Sequence, residues 1–427
     1  MALPIASTAA DSVDTRVRRK VLAMTVTLAA ITYLDRVAIG VARPHIARDL
    51  QLDSTQMGYV FSAFYLSYAL FEIPTGWWGD RVGTRRVLTR IVCWWSSFTV
   101  LTGFAFSYPS LLAVRFLFGA GEAGAWPNVA RTFSRWFPRR ERGTVQGIFF
   151  MGAHLMGGLT PLLATALLGI MDWRTMFLLF GSIGFIWALA WFRWFRDGPS
   201  EHPDVSAAER AYIEDGAAAD SGHLQEATQW KRLLANRTVV CLCLMYFTQT
   251  FGNAFYVTWL PTYLASRGLT GVTGSILAGC PLMFSVAADF FGGVTTDRAV
   301  KRLGLRLGRI IAGGGALAAA GLFTISGTFT SSPVASALLI ALGGASSNFL
   351  LGSAWATCLD IGGRRAGSVS AAMNTSGQVG AIFSPILVAF VVQRFSNWSA
   401  PLYLTGGLFL LGATCWLWVD PTKPVSD

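Results

Sequence analysis

Four ionisable residues stand where apolar sequence should exclude them. Asp35 and Arg36 are adjacent inside 21–46, and Arg115 and Glu122 lie seven apart inside 109–133. A buried carboxylate can take up and release a proton, and a guanidinium fork can hold an organic anion by two parallel hydrogen bonds. Such groups are costly within a membrane and usually mark an ion or substrate path. Adjacent helical residues project about 100° apart, so Asp35 and Arg36 can serve different partners. At 1.5 Å per residue, Asp35 lies roughly 13 Å and Arg115 roughly 9 Å from the same side, so the two can pair. Glu122 sits two turns below Arg115 on one face and is expected to lack a neighbouring charge of its own. Burial favours the protonated acid and a nearby cation favours the carboxylate. An arginine that moves between acids at two depths can therefore load and unload a proton. The alternative is a structural ion pair joining the two segments; the coupling reading is preferred. Arg36 then remains for the substrate's carboxylate, unless it pairs with Glu72 or another acid.

Further polar residues follow helical spacing. Tyr65, Tyr68 and Glu72 share one face, with Tyr65 as readily explained by packing. Glu72 and Asp289 each precede a loop aspartate by eight residues, near the expected ends of their helices. They read as an inner gate, or as caps for loop arginines. Toward the C-terminus the inward set is neutral: Gln249, Asn253 and Tyr256; Ser346, Ser347 and Asn348; Ser370, Asn374 and Gln378. Amides and hydroxyls suit a polyhydroxylated substrate body, although bonding between helices explains any one of them. His154 can act as a donor to a substrate hydroxyl, as a pH-sensitive group or as a packing residue.

These residues need a frame, and the composition supplies it. Of 427 residues, 53% are hydrophobic and 13% charged, with mean hydropathy +0.48. A soluble chain is about a quarter charged. Apolar segments recur at 18–43, 54–78, 87–107, 109–133, 142–169, 174–195, 236–264, 270–295, 306–328, 333–360, 365–393 and 399–419. Each is near the length of a spanning helix. The expected fold is an all-α polytopic membrane protein with twelve transmembrane helices. Most of the 34 Lys and Arg fall on one side of this arrangement, which places both termini in the cytoplasm. The net charge of +11 then reflects topology rather than nucleic-acid binding. Residues 1–17 form a polar tail without the pattern of a cleaved signal, so the first helix is retained. The six cysteines all fall in apolar segments and match neither a disulfide framework nor a metal site. No enzyme motif or cofactor site is visible.

The chain is also a duplication. Gly76, Asp80 and Arg81 recur 217 residues later as Gly293, Asp297 and Arg298, and the same offset links Pro44 to Pro261 and Glu72 to Asp289. The offset drifts to 224, where Val145, His154 and Pro161 meet Val369, Gln378 and Pro385, and then to 225 for Trp173 and Trp398. Two six-helix halves, 18–195 and 236–419, thus repeat in parallel. They flank a cytoplasmic loop at 196–235, part of which is expected to form a surface helix, and a tail follows at 420–427. Parallel repeats mark rocking transporters with a site at the midplane.

The pattern G-x-x-x-D-R-x-G-x-R-R at 76–86, its partial copy at 293–298, and R-x-x-x-G-x-G at 115–121 resemble the major facilitator superfamily across the whole chain. Within it, Tyr33-Leu-Asp35-Arg36, Tyr68, Arg115 with Glu122, and HPDVSAAERAYI in the central loop resemble the anion:cation symporter family. That group includes galactonate, glucarate and hexuronate transporters, sialin and the vesicular glutamate transporters. The resemblance implies proton coupling through Asp35, Glu122 and Arg115. It implies substrate contacts at Tyr68 and Asn374; the residues themselves add Arg36, Tyr33, Asn253 and Gln378, and His154, where sugar-acid carriers of the family tend to offer an amide, is this chain's departure. Gating is expected from the loop motifs, with Asp80, Arg81, Arg85, Arg86, Asp297 and Arg298 tying the cytoplasmic ends together, and from the symmetric pair Glu72 and Asp289.

The expected function is proton-coupled import of a small organic anion, a sugar acid (aldonate, aldarate or hexuronate), by a monomer in the inner membrane of a bacterium. The partners are the anion, protons and lipid, with no cofactor and no nucleic acid. Another carboxylate, aromatic or dicarboxylic, is the alternative. An exporting antiporter would carry G-x-x-x-G-P-x-x-G in the fifth segment, where this chain reads GAHLMGGLTPLLA. A sensor with a transporter fold would need a signalling domain larger than the central loop.

Overall fold

The computed structural model describes residues 16–214, 235–362 and 366–423, and within them it is built of helices and turns. In chain order the helices are α1 (Arg16–Asp49), α2 (Ser54–Val82), α3 (Thr84–Gly103), α4 (Tyr108–Glu122), α5 (Ala125–Trp136), α6 (Arg139–Leu168), α7 (Trp173–Trp194) and α8 (Ala207–Glu214). They continue as α9 (Arg237–Thr258), α10 (Leu260–Ser266), α11 (Gly271–Leu303), α12 (Leu305–Arg309), α13 (Gly315–Phe329), α14 (Pro333–Phe349), α15 (Leu351–Gly362), α16 (Ala366–Phe395) and α17 (Ser399–Cys415). Among the described residues, nine helices are long and apolar enough to cross a membrane.

Local sequence sets the boundaries. Ser107 caps α4 through the Ser110 amide with Pro109 in the first turn, Asp172 caps α7, Asn236 caps α9, and Ser332 caps α14 just before Pro333. Each cap satisfies an amide that the helix leaves open, and proline tolerates the first turn because it has no amide to satisfy. Gly124, at φ +84°, breaks the fourth span into α4 and α5, a conformation that glycine adopts without strain. The tenth span breaks correspondingly between α14 and α15, so the duplication is visible in the backbone.

Two seams join the halves of the chain: α2 packs on α16, and α6 packs on α11. They are equivalent under the repeat. In the second seam, a Cβ on Gly279 would lie 1.8 Å from the Gly158 carbonyl oxygen. The backbones touch because neither residue has a side chain. Gly279→Val is therefore expected to force the helices apart and cost about 1–3 kcal/mol or more. It should appear as a lower unfolding temperature in detergent, and an unchanged temperature would contradict this packing.

The seams are closed at the end bearing the 49–54, 169–172 and 266–271 turns. There Thr55 bonds Gln393, Ser62 donates to the Ile382 carbonyl (2.7 Å), and Ser275 donates to Thr165 (2.6 Å). Ile46, Met57 and Phe61 share one apolar core with Trp259, Tyr263 and Val388, across both halves. Toward the opposite, motif-bearing end, Val87, Ile91, Trp136 and Trp191 belong to a separate core built from the N-terminal half and Ile213 of the 207–214 helix. Large apolar side chains such as Ile170, Ile186, Leu322 and Phe329 point outward and exposed, as lipid contact requires.

At the motif-bearing end α8 forms where a surface helix was expected, but it is docked. Glu209 is buried and accepts the Arg18 amide (2.9 Å), and Tyr212 stacks under the Arg18 guanidinium. An acid at the start of α1 complements the positive end of its dipole. The rest of the central loop, 215–234, lies outside the described residues.

Candidate functional site

Arg36 is the centre of the buried polar cluster. It projects from α1 into a ring of aromatic faces, with its guanidinium carbon 5.0 Å from the Tyr68 ring centre, 5.2 Å from Phe64, and 5.7 Å from Tyr33 and Trp126. Three helices, α1, α2 and α5, supply these rings. Stacked guanidinium is weakly hydrated and tolerates such a setting better than ammonium would. Its Nε donates to Glu122 Oε1 in an ion pair. Glu122, the last residue of α4, is fully buried. Sequence reasoning expected it to lack a neighbouring charge; instead it faces Arg36, because the break at Gly124 ends α4 beside α1. One fork nitrogen, Arg36 Nη2, and one acid oxygen, Glu122 Oε2, are left without hydrogen-bond partners, as is the hydroxyl of buried Tyr68.

Asp35 and Arg115 are both buried in the N-terminal half. The pairing allowed by their depths is not a hydrogen-bonded one: neither Asp35 oxygen nor Arg115 Nε has a partner. Thr99, beside Asp35, spends its hydroxyl on the Trp95 carbonyl (3.1 Å). Arg115 lies over the Phe118 and Phe64 rings, 4.2 and 5.5 Å from their centres. The acid and the arginine are held by different helices, which leaves Asp35 an acid without a fixed partner.

The seams hold the other two acids. Glu72 on α2 accepts from Asn374 Nδ2 on α16, at 3.4 and 3.5 Å. Asp289 on α11 lies 2.6 Å from His154 Nδ1 on α6. Both acids sit deeper than the apolar segments suggested, since α2 runs on to Val82 and α11 to Leu303. His154 packs edge-on against Tyr33, ring centres 5.6 Å apart, and so reaches the wall of the Arg36 cage.

The neutral residues divide. Gln249 donates to Asn348 (3.0 Å), which donates to Ser285 (2.7 Å), and Tyr256 meets Thr324 (3.3 Å). These bonds staple α9, α11, α13 and α14 together within the C-terminal half. Asn253, Asn374 and Gln378 remain half-buried, with Asn253 Oδ1 unpartnered. Tyr246, which sequence reasoning did not single out, lies against Gly377, between Asn374 and Gln378 on α16. Its place beside Trp355 follows from the fold and leaves no spacing signal.

Of the loop-motif residues, Arg85 bonds the Phe192 carbonyl through Nε and Nη2 (2.9 and 2.6 Å) and stacks on the Phe192 ring. It ties α3 to α7 within one half rather than bridging the halves. Asp197 joins this knot by accepting the Arg85 amide (2.9 Å) beside Gly83, and it carried no sequence signal. Arg81, Arg86, Asp297 and Arg298 are exposed, and the Asp80 side chain lies outside the described ones.

The comparisons with known proteins agree with this architecture. The model of the Major Facilitator Superfamily matches residues 25–385. The chain is 34% identical over 414 residues to the probable sulfoacetate transporter SauU of Cupriavidus necator, covering 96% of each. It is 30% identical to the probable galactarate/D-glucarate transporter GarP of Escherichia coli, covering 96% of this chain and 97% of that one. It is 29% identical to the hexuronate transporter of Bacillus subtilis, covering 88% and 89%. The crystal structure of a bacterial homolog of the human lysosomal transporter Spinster, inward-facing and occupied, superposes with a TM-score of 0.76 at 18% identity, covering 95% of this chain and 97% of that one. With this fold, this repeat and these matches, the chain belongs to the major facilitator superfamily and is a multi-pass inner-membrane transporter, not an enzyme.

Proposed function

We propose that this chain imports a small organic anion, a sugar acid, together with protons. The organic-anion part of this reading is supported by the relatives, named for sulfoacetate, galactarate/glucarate and hexuronate. The observation that carries the coupling is the Arg36–Glu122 pair with its one unused fork nitrogen. An anion entering the aromatic cage competes with Glu122 for that fork. Once Arg36 turns to the substrate, Glu122 is a fully buried acid without its cation, and it takes up a proton because an isolated buried carboxylate is too costly. Substrate and proton thus load together. Return of Arg36 to Glu122 expels both. Asp35, unbonded and buried beside Arg115, serves as the second proton site on the path.

The closed end, with its shared apolar core, is the periplasmic one in this reading, since the basic loops lie at the other. The state described is inward-facing. Twelve spans with both termini cytoplasmic and a functional monomer in the bilayer complete the proposal. The two halves rock about the seams between α2 and α16 and between α6 and α11. Arg81, Arg86, Asp80, Asp297 and Arg298 hold the cytoplasmic ends in the opposite state.

The test is uptake of labelled D-galactonate into liposomes holding the purified protein. Accumulation is expected with the exterior acidic and none with the pH gradient collapsed. Equal accumulation in both would contradict proton coupling.

A further inference from the structure

The seam acids point to a selectivity that the proton reading leaves open. Glu72 with Asn374 and Asp289 with His154 are equivalent in helix and role: an acid on the repeat-related helices α2 and α11, held by a neutral or basic group on α16 and α6. On each seam this contact lies on the motif side of the other polar contacts. Beyond it, toward the closed end, come Ser62 with Ile382 on one seam and Ser275 with Thr165 on the other. Both contacts face the Arg36 cage. His154 packs on the Tyr33 ring of that cage, 5.6 Å between centres, and Glu72 stands one helical turn along α2 from its Tyr68. Two acceptor atoms are unsatisfied in this wall: Asp289 Oδ1, and the oxygen of the Tyr68 hydroxyl, on a side chain only 2% exposed.

We propose that these two seam contacts form the far wall of the binding cavity, and that the wall accepts substrate hydroxyls and rejects a second negative charge. The anionic end of the substrate lies on Arg36. Its other end then meets Asp289 Oδ1, Glu72 and the Tyr68 hydroxyl. Hydroxyl groups donate to these carboxylate oxygens and satisfy them. A second carboxylate or sulfonate would be set against two acids, and juxtaposed like charges cost several kcal/mol in a desolvated site. The nearest basic groups do not relieve this. His154 is spent on Asp289 through Nδ1, Arg36 already holds the first anionic group, and Arg115 is 2% exposed beneath the Phe64 and Phe118 rings. The chain is thereby selective for monoanionic polyhydroxy acids over dianions of equal length. This rests on the reading of Arg36 as the anion site, and it separates the chain from the relatives named for galactarate and sulfoacetate.

The test is calorimetric binding of D-galactonate and galactarate to the purified full-length protein near neutral pH. The two share a six-carbon skeleton and differ by one carboxylate. Galactonate is expected to bind at least about ten-fold more tightly. Asp289→Asn, which removes one of the wall's two acids and keeps its shape, is expected to narrow the difference to about three-fold. The comparison on the unmodified protein decides the matter even where the variant fails to fold. Galactarate binding as tightly as galactonate, or more tightly, would overturn the selectivity and leave the transport reading standing. So would an unchanged preference in Asp289→Asn. Binding of neither acid, with other organic acids still stabilising the protein, would also overturn it. Binding of no organic anion at all would overturn both.

Discussion

Glu122→Gln is expected to abolish pH-driven accumulation of substrate while leaving exchange across the membrane intact. Glutamine resembles the protonated acid in shape and charge. The variant therefore stays in the loaded form, with Arg36 always available to the anion. Exchange of internal for external substrate needs no net proton movement and should survive. Accumulation needs proton release when the empty carrier returns, and that step is lost. For one proton moved with a monoanion, each unit of pH gradient supports about ten-fold accumulation. The variant should fall from that to simple equilibration. Counterflow and pH-driven uptake measured in the same liposomes make the comparison. A purely structural role for the Arg36–Glu122 pair predicts joint loss of both, because a lone buried cation destabilises the protein. Full accumulation by the variant would remove Glu122 from the coupling path.

Arg36→Lys keeps the charge and discards the fork. Lysine still neutralises Glu122, but it presents a compact, strongly hydrated ammonium to rings that now stack against a plane. A charge-assisted hydrogen bond contributes about 1.5–3 kcal/mol, so losing one of the two should weaken substrate binding by about 10- to 100-fold. Calorimetry on the purified variant reads this directly. Near-normal affinity would place the anion elsewhere.

The all-helical membrane frame of this transporter was legible because hydropathy and duplicated motifs are properties of the chain itself. The buried residues were legible too, since charge within apolar sequence needs no structure to be noticed. Their pairing was not. Asp35 and Arg36 differ by about 100° around α1, so helix rotation decides which of them faces α4. Depth alone set Asp35 against Arg115. The rotation observed gives Arg36 to Glu122 instead, and Gly124, which ends α4 beside α1, is visible in the sequence only as one glycine among many. Glu72 and Asp289 were misplaced for a different reason. Hydropathy reports where apolar sequence stops, whereas α2 and α11 continue through Val82 and Leu303. Both acids consequently lie well inside their helices, facing the opposite half. Gln249 and Asn348 stood between substrate contact and bonding between helices, because a sequence cannot show that they already satisfy each other.

Substrate and Glu122 compete for one guanidinium, and the proton count of binding tests that competition most directly. Calorimetric titration of D-galactonate into the purified protein, repeated in buffers of different ionisation enthalpy, gives the protons taken up per anion bound. With Glu122 ionised on Arg36 before binding and protonated after it, the unmodified protein should take up about one proton per anion near neutral pH. Binding should accordingly strengthen as pH falls. Glu122→Gln should bind with no uptake and little dependence on pH. Binding without proton uptake in the unmodified protein, or equal uptake in both proteins, would contradict the competition at Arg36.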